Sequence, residues 1–211
     1  MRQNSVLIRI TSAVVLLFAA ACVPYTWFDK VQYDNMAPRL EYQGFSFERP
    51  PNRMWYFLQS EQSYTSVTLR RDFWIPSYTH TFYALVAIGE IDKKPESHED
   101  FAELARSEEQ KADYPIEKQS YEQHLTTRQS QWCIRFDSSY RVTGHPKVPD
   151  RELRMELHGY RCLHPAWPER TLDFYYSERG LPSELDPKLS SEGETFLEGV
   201  RIDVAPGTPA A

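Results

Sequence analysis

An α+β fold, a twisted antiparallel sheet with helices packed on it in one sandwich-like domain, is what this sequence predicts. Three observations predict it. Segments with apolar residues at every second position recur along the chain, as half-buried strands require. Two stretches, one midway and one near the end, switch to the three- and four-residue spacing of amphipathic helices. The intervening turns are mostly short and polar, without the strand–helix–strand alternation of a parallel sheet. The 211 residues suffice for one domain with a real core, and 13 Tyr, 11 Phe and 5 Trp supply apolar surface to fill it.

The segments LEYQGFSFE (40–48), WYFLQ (55–59) and YTSVTLR (64–70) read as the first strands. THTFYALVAIGE (79–90) is apolar in both registers: Phe82, Ala84, Val86 and Ile88 on one, Tyr83, Leu85 and Ala87 on the other. A strand buried on both faces is central in its sheet. SHEDFAELARSEEQK (97–111) turns helical, with Ser97 placed as cap, Asp100 three residues later, and Phe101, Leu104 and Ala105 on one face. Strands resume near 121–127, 131–141, 152–163 and 171–179. In SSEGETFLEGV, Ser191 and Glu194 make a capping box ahead of Phe196, Leu197 and Val200, predicting a final short helix. The globular domain thus covers about residues 40–204, and 205–211 (APGTPAA) reads as a flexible tail.

At the N-terminus, Arg2 and Arg9 precede a run over 10–21 whose only polar members are Thr11 and Ser12. A largely apolar run of about a dozen residues behind a basic start has the make-up of a secretory signal, and as a helix it falls short of the roughly 30 Å hydrocarbon core. The run ends Ala19-Ala20-Ala21-Cys22, which resembles the lipobox of bacterial lipoproteins, with Ala19 where Leu is usual. The resemblance implies a signal peptide over 1–21 and cleavage before Cys22. It also implies a diacylglycerol thioether on the Cys22 sulfur and acylation, by palmitate or a similar chain, of the new amino group. Val23 follows, not the Asp associated with inner-membrane retention, so in a Gram-negative cell the resemblance implies the outer membrane, facing the periplasm. Residues 22–39, with Pro24 and Pro38, then read as a lipidated tether, and the membrane is the first partner expected.

Net charge is −6, and −8 once residues 1–21 are removed, with no basic block. Such a chain is a poor candidate for nucleic-acid binding. Cys133 and Cys162 remain, an even number in an exported domain, which favours a disulfide bond. Alternation puts each on the more polar side of its strand, and antiparallel neighbours joined through GHPKVPD (144–150) would bring both sulfurs to one face. A metal or redox pair is the alternative, although C-x-x-C is absent and His158, Cys162 and His164 do not match a closed zinc spacing.

Six scattered histidines, eight glycines, and the lack of H-E-x-x-H, G-x-S-x-G, P-loop and G-x-G-x-x-G patterns leave no catalytic set or cofactor to expect. The densest candidate binding surface is GYRCLHPAWPER with the following YYSERG. There His158, Tyr160, Arg161, His164, Trp167 and Tyr175 combine the aromatic and cationic groups that dominate protein–protein contacts. The competing reading is plain packing of Trp167 and Tyr175 on the sheet.

An early F-x-F-x-x-P-P (Phe45, Phe47, Pro50, Pro51), then G-Y-R-C and F-Y-Y-S-E-R-G, resemble a group of uncharacterised proteobacterial lipoproteins. The element order is similar to the PsbP/Mog1-like fold, an antiparallel sheet sandwiched by helices, and no site residue transfers from it. The expected function is a non-enzymatic binding or assembly role in the cell envelope, toward another envelope protein. A small-ligand module using a sheet–helix cleft, or a hydrolase with a non-sequential triad, are the alternatives.

Overall fold

A computed structural model describes residues 30–75, 77–110 and 116–206. The signal segment 1–21, Cys22 and most of the tail lie outside them. The described strands are β1 (Lys30–Gln32), β2 (Arg39–Glu48), β3 (Trp55–Leu58), β4 (Ser66–Arg71), β5 (Thr81–Glu90), β6 (Ile116–Arg128), β7 (Gln131–Val142), β8 (Leu153–His164), β9 (Trp167–Gly180) and β10 (Val200–Pro206). Two helices, α1 (His98–Gln110) and α2 (Pro187–Gly199), join them.

Eight strands form one antiparallel sheet in the order β1-β3-β4-β5-β9-β8-β7-β6, and β2 pairs with β10 in a separate ribbon. β5 and β9 occupy the middle, where a strand apolar in both registers belongs. On one face of the sheet, Leu69, Phe82, Val86, Leu172 and Phe174 meet Phe45, Phe47, Val200 and Ile202 of the ribbon and Leu189, Phe196 and Leu197 of α2. On the other, Phe101, Ala102 and Ala105 of α1 cover Ile134, with Trp132 and Leu163 at the margin.

The α+β expectation is therefore corrected. Among the described residues the chain is mainly β, with ten strands against two α-helices. A layer anticipated as helical is shared between the β2–β10 ribbon and α2. Alternation gives no sign of this ribbon because β10 begins at Val200, the last residue of the predicted helix, with no turn between them. β1 pairs with β3 from inside the segment read as tether.

Ser97 Oγ accepts from the Asp100 amide at 3.0 Å, satisfying an orphan donor of the first turn of α1, while Asp100 Oδ2 accepts from the Glu96 amide just before the helix at 2.8 Å. α2 starts four residues ahead of the expected cap: Asp186 accepts from the Lys188 amide and Pro187 opens the helix. Proline costs nothing there, because that amide has no partner in the first turn.

Within α2, Gly193 lies against the Tyr176 ring so closely that a Cβ would stand 2.4 Å from it. Gly193→Val is expected to destabilise the domain by about 1–3 kcal/mol through overpacking. Urea unfolding followed by tyrosine and tryptophan fluorescence checks this.

Candidate functional site

The six residues of the sequence-predicted surface are divided between the two faces of the sheet. His158, Tyr160 and His164 sit on the face beneath α2 and the ribbon. Tyr160 stacks on Phe174, with the Arg128 and Arg135 guanidiniums 4.7 and 5.0 Å from its centroid. Arg161 and Tyr175 belong to the opposite face, Arg161 in a bidentate pair with Asp173 and Tyr175 edge-on to Tyr83 and Phe136. Trp167 stacks on His164 at the β8–β9 turn. No single surface collects them.

Cys133 and Cys162 are opposite one another in the β7–β8 register and are disulfide-bonded, both fully buried in the main core. Gly159 lets β9 approach, since a Cβ there would stand 2.4 Å from Tyr175 Cβ.

His158 heads a polar network. Its Nδ1 is 2.6 Å from Asp137, Arg135 holds Glu194 of α2 through two bonds of 2.7 and 3.1 Å, and the Tyr176 hydroxyl donates to Glu194 at 2.9 Å. The bond to His158, with Arg135 beside it, holds the Asp137 carboxyl below its ordinary range. Burial pushes Glu194 up, but Arg135 outweighs it and the net shift is also downward. The remaining ring nitrogen of His158 faces the Glu156 carboxylate at 3.9 Å. A base aimed at an acid, in a network clamping α2 to β7, does structural work.

His164, 1% exposed, is satisfied as a neutral ring: Nε2–H donates to the Gly44 carbonyl at 3.0 Å and Nδ1 accepts from the Ala166 amide at 3.2 Å. Burial holds its pKa below the ordinary imidazole value. A depressed folded-state pKa means the unfolded chain binds the proton first, so this contribution to stability is full above about pH 6.5 and declines below it. Unfolding free energy is expected to fall between pH 7 and pH 5, with a shallower slope in His164→Gln; denaturant titrations across that range check it.

The feature that packing leaves unexplained is the β4–β5 connection, FWIPSY, which sequence reading passed over. Trp74 is 92%, Ile75 83% and Tyr78 77% exposed. Single exposed apolar side chains such as Tyr64 and Leu125 are ordinary. Three large ones in five residues are more than scattered exposure accounts for.

Both stems of this loop are braced. On the entering side, the Asp72 amide donates to the Met54 carbonyl at 2.9 Å, the Asp72 carboxylate pairs with Lys30, and Phe73 stacks on His80 with centroids 4.2 Å apart. On the leaving side, Ser77 and Thr79 donate to Glu184 at 3.1 and 2.6 Å, the His80 amide donates to Ser77 Oγ, and the His80 ring bonds Glu178 at 2.7 Å. Burial pushes the Glu184 carboxyl up, but the bonds from Thr79, the Leu181 amide and Ser77 outweigh it, leaving it below the ordinary range and ionised. Lys147 approaches the Tyr78 ring to 5.4 Å. An apolar tip is thus presented on a polar, hydrogen-bonded base. Its signal was present in the sequence: Trp, Ile and Tyr lie within five residues around a proline, in a turn that needs none of them.

A surface depression of about 660 Å³ lies where Lys94, Pro95 and Glu96 meet Gln131, Trp132 and Leu163, at the start of α1. Among the described residues there is no group of three or more His, Cys, Asp or Glu able to hold a metal ion, and no helix long and apolar enough to cross a membrane.

No protein-family model matches the chain, and no curated protein matches it. Among solved structures, the chain is similar to the Ran-binding protein Mog1p of Saccharomyces cerevisiae, with TM-score 0.41 and 12% identity over 83% of this chain and 95% of that one. It is also similar to the cyanobacterial PsbP of Synechocystis, with TM-score 0.37 and 14% identity over 80% of this chain and 94% of that one. Likeness at this level extends to no activity and no partner.

Proposed function

We propose that this protein is an envelope lipoprotein, held to the membrane through Cys22, with a non-enzymatic binding or assembly role whose contact surface is the β4–β5 loop. The observation that carries the reading is the exposure of Trp74, Ile75 and Tyr78 on a stem fixed by Asp72, Phe73, Ser77, Thr79 and Glu184. A rigid stem loses little conformational freedom on contact, so apolar burial at the tip goes largely into affinity. Anchoring raises the effective concentration of partners confined to the same surface. Placement in the outer membrane facing the periplasm belongs to this proposal and rests on the Ala19–Cys22 resemblance and on Val23.

Two measurements test it. Intact mass of membrane-extracted protein is expected to equal residues 22–211 plus acyl chains, shifting by two hydrogens on reduction. Photocrosslinking from position 74 in intact cells is expected to label an envelope component; labelling by water alone removes the binding surface.

A second reading, a small-ligand module, is favoured by the depression beside α1, where Trp132 stacks on His98 and Lys94 supplies a cation. Chemical-shift changes confined to Trp132 and Leu163 on ligand screening would select it.

A further inference from the structure

We propose that the component met by the β4–β5 loop is the lipid bilayer itself: Trp74 and Ile75 enter the interface of the membrane that holds the protein, with Tyr78 and Lys147 at the headgroup level. This rests on the anchored reading above and names its partner.

Composition is the first argument. Tryptophan and tyrosine favour the membrane–water boundary, where an apolar ring meets lipid and a polar edge stays wet, and isoleucine adds purely apolar area. Lysine beside them matches lipid phosphate, because its stem lies along apolar surface while the ammonium reaches the headgroups. Lys147 stands over Tyr78 in that arrangement.

The described chain also begins close to this loop. Lys30 of β1 pairs with Asp72, two residues before Trp74. Two side chains in contact plus two residues of backbone keep Lys30 and Trp74 within about 20 Å of each other. Cys22 lies eight residues before Lys30 in sequence, a length that spans at most about 28 Å. An acyl group on Cys22 and the tip of the loop can therefore reach one bilayer plane together.

Polarity points the same way. The charged groups of the stem are paired or hydrogen-bonded, Asp72 to Lys30, Glu184 to Ser77 and Thr79, and Glu178 to His80. The end presented to the membrane is thus the apolar one. A shallow second contact adds to an acyl anchor by fixing the orientation of the domain on the surface.

The experiment uses the full chain extracted from membranes and reconstituted into vesicles of phosphatidylethanolamine and phosphatidylglycerol, with or without brominated acyl chains. The difference in emission between wild type and Trp74→Phe isolates Trp74 among the five tryptophans. The expected result is a blue-shifted difference spectrum quenched at least about twofold by brominated lipid. A water-like, unquenched difference spectrum overturns the proposal and leaves a protein partner as the occupant of the tip. Trp74 is 92% exposed, so Trp74→Phe should fold as wild type does; unchanged denaturant unfolding confirms that the comparison is fair. Cosedimentation of Cys22→Ser with the same vesicles gives a second reading, since Trp74→Asp with Ile75→Asp on that background should lower partitioning at least about tenfold. Equal partitioning overturns the proposal.

The two readings fail separately. Mature protein without acyl mass removes the anchor while Trp74 quenching still decides the loop. Acylated protein with unquenched Trp74 removes the loop contact alone.

Discussion

Replacing Cys133 and Cys162 together by alanine is expected to lower the stability of the domain by about 3–4 kcal/mol. The pair closes a loop of 29 residues, and the chain-entropy relation gives about that cost for the freedom returned to the unfolded chain. Packing acts in the same direction. Both sulfurs are fully buried in the cluster that includes Leu172 and Phe174, so the alanine pair leaves a void beside them. The bond directly joins opposed residues of β7 and β8, where the ladder already fixes their separation. The entropic part of the effect therefore falls on the unfolded ensemble, and the native sheet should keep its far-UV signal. Guanidinium unfolding of the double variant against wild type, each with and without reductant, checks the figure. The wild type should lose nearly the same amount on reduction, and the double variant should be insensitive to it.

Much of the strand inventory was legible because period-two alternation survives wherever one face is covered. β5 could be placed at the centre from its two apolar registers. What misled was the sign of polarity on β7 and β8. Arg135, Asp137 and His158 made one side of these strands look outward, yet that side lies beneath α2, where Glu194 and Tyr176 complete the network. Polar residues that are bonded to one another are compatible with an inner face, and alternation carries no information about pairing across 59 residues of sequence. The predicted surface failed to assemble for a related reason. His158, Tyr160 and His164 alternate with Arg161 along β8, so strand geometry itself sends them to opposite faces. The loop tip was readable as FWIPSY, but exposure is a tertiary property, and an apolar run between two strands looks the same whether its turn is buried or bare.

The second large effect belongs to Glu192, on the face of α2 that meets the edge half of the sheet. Its carboxylate receives four donors: Arg71 Nε at 2.8 Å and Nη2 at 3.0 Å, the Trp55 indole N–H at 3.2 Å, and the Asn52 amide at 3.2 Å. Arg71 and Glu192 are 14% and 20% exposed, sheltered but not dry. Glu192→Ala leaves the arginine without its bidentate partner and strips the bond from the N–H of Trp55, whose ring is fully buried against Phe82. Breaking a buried pair by deleting one partner costs about 3–5 kcal/mol, and residual solvent access reduces the expectation here to about 2–4 kcal/mol. Arg71→Met should cost less, because an apolar chain of similar length covers Phe73 while Trp55 and Asn52 keep their acceptor. The double variant separates pairing from packing. If the ion pair carries the effect, Glu192→Ala adds less on the Arg71→Met background than on wild type, with a coupling of about 1–2 kcal/mol. Strict additivity would assign the loss to Trp55 and Asn52 instead. Arg71 also lies under Phe73, the first residue of the loop stem, so Glu192 reaches the exposed tip through two contacts. Loss of Glu192 should therefore weaken vesicle partitioning of the Cys22→Ser protein under conditions where the domain remains folded, a result that a purely global stability effect would not give.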